Sequence, residues 1–114
     1  MFDFEKLLVY DKAKAFNKEV NSFIRSKNID RTTKDQLRRA SFSIMLNIAE
    51  GSGRFTKPDK RNFYIISRGS TFECVAIFDY LKDIELLKQS EFDKYYRKLE
   101  EISRMLFSMV RKLS

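Results

Sequence analysis

Phe92, Tyr95, Leu99, Ile102, Leu106, Met109 and Leu113 recur at alternating intervals of three and four through the last quarter of the chain. Only an α-helix gathers such a set on one face, and an unbroken run of this length requires an apolar partner surface about as long as the helix. Val9, Ala13, Phe16, Val20 and Phe23 keep the same rhythm near the start, which predicts a first helix ending near Asn28. With three glycines and one proline among 114 residues, little else interrupts helical order.

Two further helices lie between these. Thr33 opens a capping box with Gln36 three residues on, and Leu37, Ser41, Ile44 and Ile48 continue at helical spacing. Gly51 and Gly53 are expected to stop this helix, because glycine accepts the left-handed conformation favoured just past a helix end. Thr56 or Lys57 caps the third helix, with Pro58 tolerated in its first turn, where amides have no intrahelical partner. It is expected to run from Asp59 to about Leu87. Its apolar set of Phe63, Ile66, Cys74, Ile77, Phe78, Leu81 and Ile84 covers more than one stripe, leaving Phe63 or Phe78 for a subunit interface. Ser90 caps the fourth helix. Long helices on short connections predict an all-α, up-down-up-down antiparallel four-helix bundle, one domain over residues 1–114.

Composition narrows the chemistry. The chain has no histidine, which removes the commonest general base and transition-metal ligand, and with them Ser/His/Asp catalysis and zinc sites of ordinary type. No catalytic residue, metal or cofactor is expected. Cys74, the one cysteine, sits in an apolar helical pattern and reads as a small buried hydrophobe. No apolar run approaches the length that spans a bilayer, and Met1–Glu5 carries no basic segment leading into an apolar one, so a cytoplasmic protein with no membrane partner is expected. A formal net charge of +7 suits an acidic partner, either RNA or DNA or an acidic protein surface.

Polar residues placed inside apolar patterns mark the candidate sites. Asn47 and Glu50 lie three apart and Glu50 and Arg54 four apart, so their side chains can meet at the end of the second helix beside Gly51. The third helix offers Arg68, Gly69, Ser70 and Glu73. A mid-helix glycine costs about 1 kcal/mol relative to alanine, and a helix crossing at Gly69 would explain it. Asn47, Glu50, Gly51, Arg68, Gly69, Ser70 and Glu73 form a structural polar cluster or an interface; spacing leaves open whether Arg68 pairs with Glu50 or Glu73, and within or between subunits. A small-ligand or enzymatic site on Asn47, Glu50, Arg68 and Glu73 is the weakest reading.

The basic residues gather at two ends of the bundle. Arg25, Lys27, Arg31, Lys34, Arg38 and Arg39 surround the first connection, and Arg54, Lys57, Lys60 and Arg61 surround the second, which the topology brings near Arg111 and Lys112. Of these, Arg38, Arg39, Arg54, Lys57, Lys60, Arg61, Arg111 and Lys112 are the candidate nucleic-acid contacts. Phe55 beside Arg54 is expected chiefly as a hydrophobic anchor at the helix start, with stacking on a base as the alternative.

Gln36-Leu37-Arg38-Arg39-Ala40-Ser41, then Ser43-Ile44, Asn47-Ile48-Ala49-Glu50-Gly51 and Gly53-Arg54, followed by Ile66-Ser67-Arg68-Gly69-Ser70 and Glu73, resemble the motifs of the bacterial four-helix-bundle proteins encoded in 23S rRNA intervening sequences. Ser67 departs from that family's alanine. Val9-Tyr10 with Ala13 and the closing Ile102 to Leu106 fit as well, so the resemblance covers nearly the whole chain. It implies a homopentameric ring and no enzymatic activity, and a role with RNA through the genes' setting and the proteins' charge. It extends to accessory proteins of diversity-generating retroelements, which bind a reverse transcriptase and nucleic acid. A non-catalytic, oligomeric, nucleic-acid-associated protein is therefore expected, with a protein-interaction adaptor as the alternative.

Overall fold

A computed structural model describes all of residues 1–114. After a 3-10 turn at Asp3–Lys6, the chain forms α1 (Leu8–Ser26), α2 (Arg31–Ser52), α3 (Lys57–Asp83) and α4 (Gln89–Lys112), an all-helical antiparallel bundle of 44 × 23 × 21 Å. No helix is long and apolar enough to cross a membrane.

The periodic sets of α1, α2 and α4 behave as their spacing predicts. Val9, Ala13, Phe16, Val20 and Phe23 are buried on α1; Leu37, Ser41, Ile44 and Ile48 on α2; Tyr95, Leu99, Ile102 and Leu106 on α4. Toward the α3–α4 connection the Phe78 and Tyr95 rings stack with centroids 4.6 Å apart and planes within 8°, while Phe16 and Phe23 meet both edge-on. Offset and edge-to-face contacts of this kind add to the gain from burying the rings. Phe78 is thus a core residue and is not available to a subunit interface.

On α3 the buried stripe is Tyr64, Ser67, Thr71, Cys74, Phe78 and Leu81, and Ile66 and Ile84 of the expected stripe are exposed. Its buried hydroxyls are satisfied: Ser67 Oγ donates to the Ile44 carbonyl at 2.8 Å and Thr71 Oγ1 to the Ser67 carbonyl at 3.0 Å. Small hydroxyl side chains let the two backbones approach closely while each of these buried hydroxyls keeps a partner. Burial pushes the Cys74 thiol far above its ordinary range, as fits a packed hydrophobe.

The ends of the helices differ from expectation in instructive ways. Asp30, not Thr33, caps α2, accepting from the Thr33 amide at 3.0 Å and the Thr33 hydroxyl at 2.6 Å. These bonds hold the exposed Asp30 carboxyl below its usual value. Thr56 caps α3 through the Asp59 amide. α4 starts one residue before Ser90, because the Glu91 carboxylate reaches back to the Lys88 amide at 3.1 Å. Gly51 lies inside α2 and Gly53 ends it at φ −89°, so neither adopts the left-handed conformation. The residue that does is Glu85, at φ 64°. Its amide bonds to the Lys82 carbonyl and the Leu86 amide to the Leu81 carbonyl, the paired closure of a Schellman motif ending α3.

Candidate nucleic-acid interface

The α2–α3 turn is four residues long, Gly53 to Thr56, and its backbone is pinned on both sides. The Gly53 amide donates to the Glu50 carbonyl and the Arg54 amide to the Gly51 carbonyl, both at 3.2 Å, and Lys60 Nζ donates to the Ser52 carbonyl at 2.8 Å. Beneath the turn, α2 and α3 touch at Gly51. A Cβ there would lie 2.8 Å from Tyr64 Cε1 and 3.0 Å from Phe63 Cβ, so only glycine fits against these side chains. The tight approach thus falls at Gly51 and not at Gly69, around which a Cβ would meet nothing within 4 Å.

Cations crowd this end. Lys57 and Arg61 project from the first turns of α3, and Arg61 shares a surface groove with Pro58, Asn62, Ile65, Leu113 and Ser114, which brings the end of α4 alongside. Arg111 and Lys112 are exposed there. None of these four has a carboxylate within ion-pair distance. Arg54 is engaged locally, 3.7 Å from Glu50 and with its guanidinium 4.5 Å from the centre of the Phe63 ring. Phe55 is fully exposed, at 100%, which overturns the expectation of an anchor packed at the start of α3.

The opposite end is partly neutralised, although Arg25 and the half-buried Lys34 there also have no carboxylate within ion-pair distance. Arg38 pairs with Asp35 at 3.0 Å, Arg31 approaches the same carboxylate at 4.0 Å, and Lys27 pairs with Glu91 at 3.2 Å. Partial burial pushes the Glu91 carboxyl up, but the Lys88 amide and the Lys27 ammonium outweigh it and hold the group below its usual value. Arg39 is exposed and unpaired on the outer face of α2. It lies about 22 Å along the helix from Arg54 and does not join the cluster at the other end.

The polar set does not converge on one site. Asn47 bonds back to its own helix, its Nδ2 donating to the Ser43 carbonyl and hydroxyl, both at 2.9 Å, and it does not meet Glu50. Ser70 Oγ reaches Ser43 Oγ at 2.8 Å, tying α3 to α2. Glu50 and Glu73 are exposed. Arg68 pairs with neither: its guanidinium lies 4.7 Å from the Phe72 ring centre and 5.3 Å from that of Phe107 on α4, and its buried Nε has no partner. Five residues apart, Arg68 and Glu73 project about 140° apart around α3, which separates them. Ser43 and Ser67 were not singled out as seam residues by sequence reasoning. A hydroxyl breaking the apolar rhythm on each helix, with Ser67 standing where the family pattern has alanine, was the available signal.

The chain matches the family described as "23S rRNA-intervening sequence protein" over residues 5–108. No curated protein matches it. Among solved structures, a protein of unknown function from the S23 ribosomal protein family of Bacteroides thetaiotaomicron superposes with a TM-score of 0.85 at 21% identity, covering 90% of this chain and 98% of that one. At that identity the likeness speaks to fold alone. With four helices in the expected order and the family match running over nearly its whole length, the chain belongs to the 23S rRNA-intervening sequence protein family.

Proposed function

We propose that this protein is a non-catalytic, homo-oligomeric module that associates with RNA or DNA through the α2–α3 end of its bundle. The observation that carries the reading is the set of Lys57, Arg61, Arg111 and Lys112, four exposed cations gathered at one end without a carboxylate partner. Cations already neutralised by carboxylates, such as Arg38, have less to offer a phosphate; free ones release counterions from a nucleic acid on contact. Several copies in one assembly would add such contacts through avidity. The exposed Ile65, Phe72, Tyr96 and Phe107 on the α3–α4 flank, with the unpaired Arg68 among them, support self-association there, and the resemblance to the family puts the number of copies at five.

Binding to structured ribosomal RNA fragments, DNA and an acidic polypeptide across a salt series tests this. Affinity for nucleic acid should fall steeply and log-linearly with salt and exceed that for the polypeptide. The same apolar flank favours a second reading, an adaptor whose flank docks on a protein and whose charge serves an acidic protein surface. Binding to a protein partner that persists at high salt, with none to nucleic acid, would favour it.

A further inference from the structure

Phe55 is the one large hydrophobic side chain wholly in solvent, at 100% exposure, and it sits in the hydrogen-bonded turn at the basic end. Nothing in the fold uses it. A phenyl ring left in water forgoes on the order of 2 kcal/mol relative to burial. Its neighbours are committed elsewhere, Arg54 to Glu50 and Phe63, and Thr56 to the Asp59 amide, and neither covers the ring. Lys57 follows two residues later and Arg61 one helical turn beyond that. An aromatic face presented to solvent from a pinned turn, beside free cations, is the arrangement that takes a base and its flanking phosphates together.

Resting on the nucleic-acid reading above, we propose that Phe55 is a stacking platform for an unpaired base, so that the α2–α3 end selects single-stranded or looped segments over continuous duplex. In a duplex the base faces are already stacked on one another, and only an unpaired base presents its face to a side chain. Lys57 and Arg61 then contact the adjoining phosphates, which adds affinity without sequence preference.

The chain contains no tryptophan, so Phe55→Trp introduces a single fluorophore at the tip. The full-length wild type, Phe55→Ala and Phe55→Trp are titrated with a mixed-sequence single-stranded RNA, the same sequence as a perfect duplex, and heparin. Thermal midpoints serve as a check on folding, which the complete exposure of residue 55 predicts to be unchanged. The expected result is a preference of the wild type for the single strand, a loss of roughly ten-fold or more in Phe55→Ala for that ligand alone, and retained affinity in Phe55→Trp with emission quenched by the single strand but not by heparin. Equal single-strand affinity of wild type and Phe55→Ala, or binding by Phe55→Trp without quenching, would overturn the stacking role while leaving nucleic-acid association standing. Absence of nucleic-acid binding by the wild type would overturn both.

Discussion

Two glycines near the motif residues look alike in the sequence and do opposite things in the fold. Gly51 lies where α2 meets α3, with Tyr64 Cε1 2.8 Å from a would-be Cβ, whereas Gly69 faces open space. Gly51→Ala should therefore destabilise by about 1–3 kcal/mol, because the strain of overpacking a buried seam outweighs the gain in helix propensity. Within the single chain, Gly69→Ala should stabilise by about 0.5–1 kcal/mol, since a Cβ there meets nothing within 4 Å. Urea unfolding of the two variants checks the pair, and equal effects would contradict the assignment. The sequence could not distinguish them. Each glycine is equally permissive, and what separates them is the facing side chain, which spacing within one helix does not reveal.

At the scale of the elements, α1, α2 and α4 were legible because their buried faces follow a nearly continuous three-four rhythm, mostly of apolar residues. α3 was legible only in its second half, where Cys74, Phe78 and Leu81 are buried as expected; in its first half the buried face contains Ser67 and Thr71 while Ile65, Ile66 and Phe72 point outward, so counting hydrophobes rotates that part of the helix away from its true phase. Its end was also misplaced. The helix was expected to run to about Leu87, yet it stops at Asp83, with the left-handed position on Glu85, whose side chain disfavours φ 64°. Glu85→Gly should raise the thermal midpoint, with a gain of about 1 kcal/mol, since the Schellman bonds are kept and the strained conformation is relieved. A lower midpoint would mean that the Glu85 side chain has a stabilising role of its own.

The connections also predict how acid affects the bundle. Asp30 and Glu91 both have carboxyls held below their usual values in the fold. Their contribution is present above the unfolded carboxyl range near pH 4 and is lost as pH falls through the lower folded values. Lys27 loses its partner as Glu91 protonates, so amides at the start of α2 and α4 should lose hydrogen-exchange protection before those at the α2–α3 turn as pH drops from 5 to 2. Loss in the reverse order would contradict this account of the caps.

For the molecule as a whole, the candidate site emerged in part from the sequence and in part only from the fold. Up-down topology correctly brought Arg61 near the end of α4, but the neutralisation of Arg38 by Asp35 and the outward position of Phe55 depend on side-chain geometry. The polar set around Arg68 resolves into a hydroxyl seam between α2 and α3 and an arginine lying against two aromatic rings on the α3–α4 flank. If that flank carries self-association, Phe72→Glu combined with Phe107→Glu should convert the assembly to single chains with helicity retained, because both rings are half exposed within the chain. Sedimentation at micromolar concentration reads this, and an unchanged mass would move the contact to another face.

The most direct measurement of the central claim compares the two ends of the bundle. Lys57, Arg61, Arg111 and Lys112 are replaced by alanine in one variant, and Arg25, Lys34, Arg38 and Arg39 in another, and both are titrated with RNA from low to high salt. Removal of the first four should weaken binding strongly and flatten the salt dependence by several units of slope, at about 0.7–0.9 per lost phosphate contact, while removal of the second four changes both far less. Equal losses from the two variants would show that the charge acts only in bulk and would contradict a nucleic-acid site at the α2–α3 end.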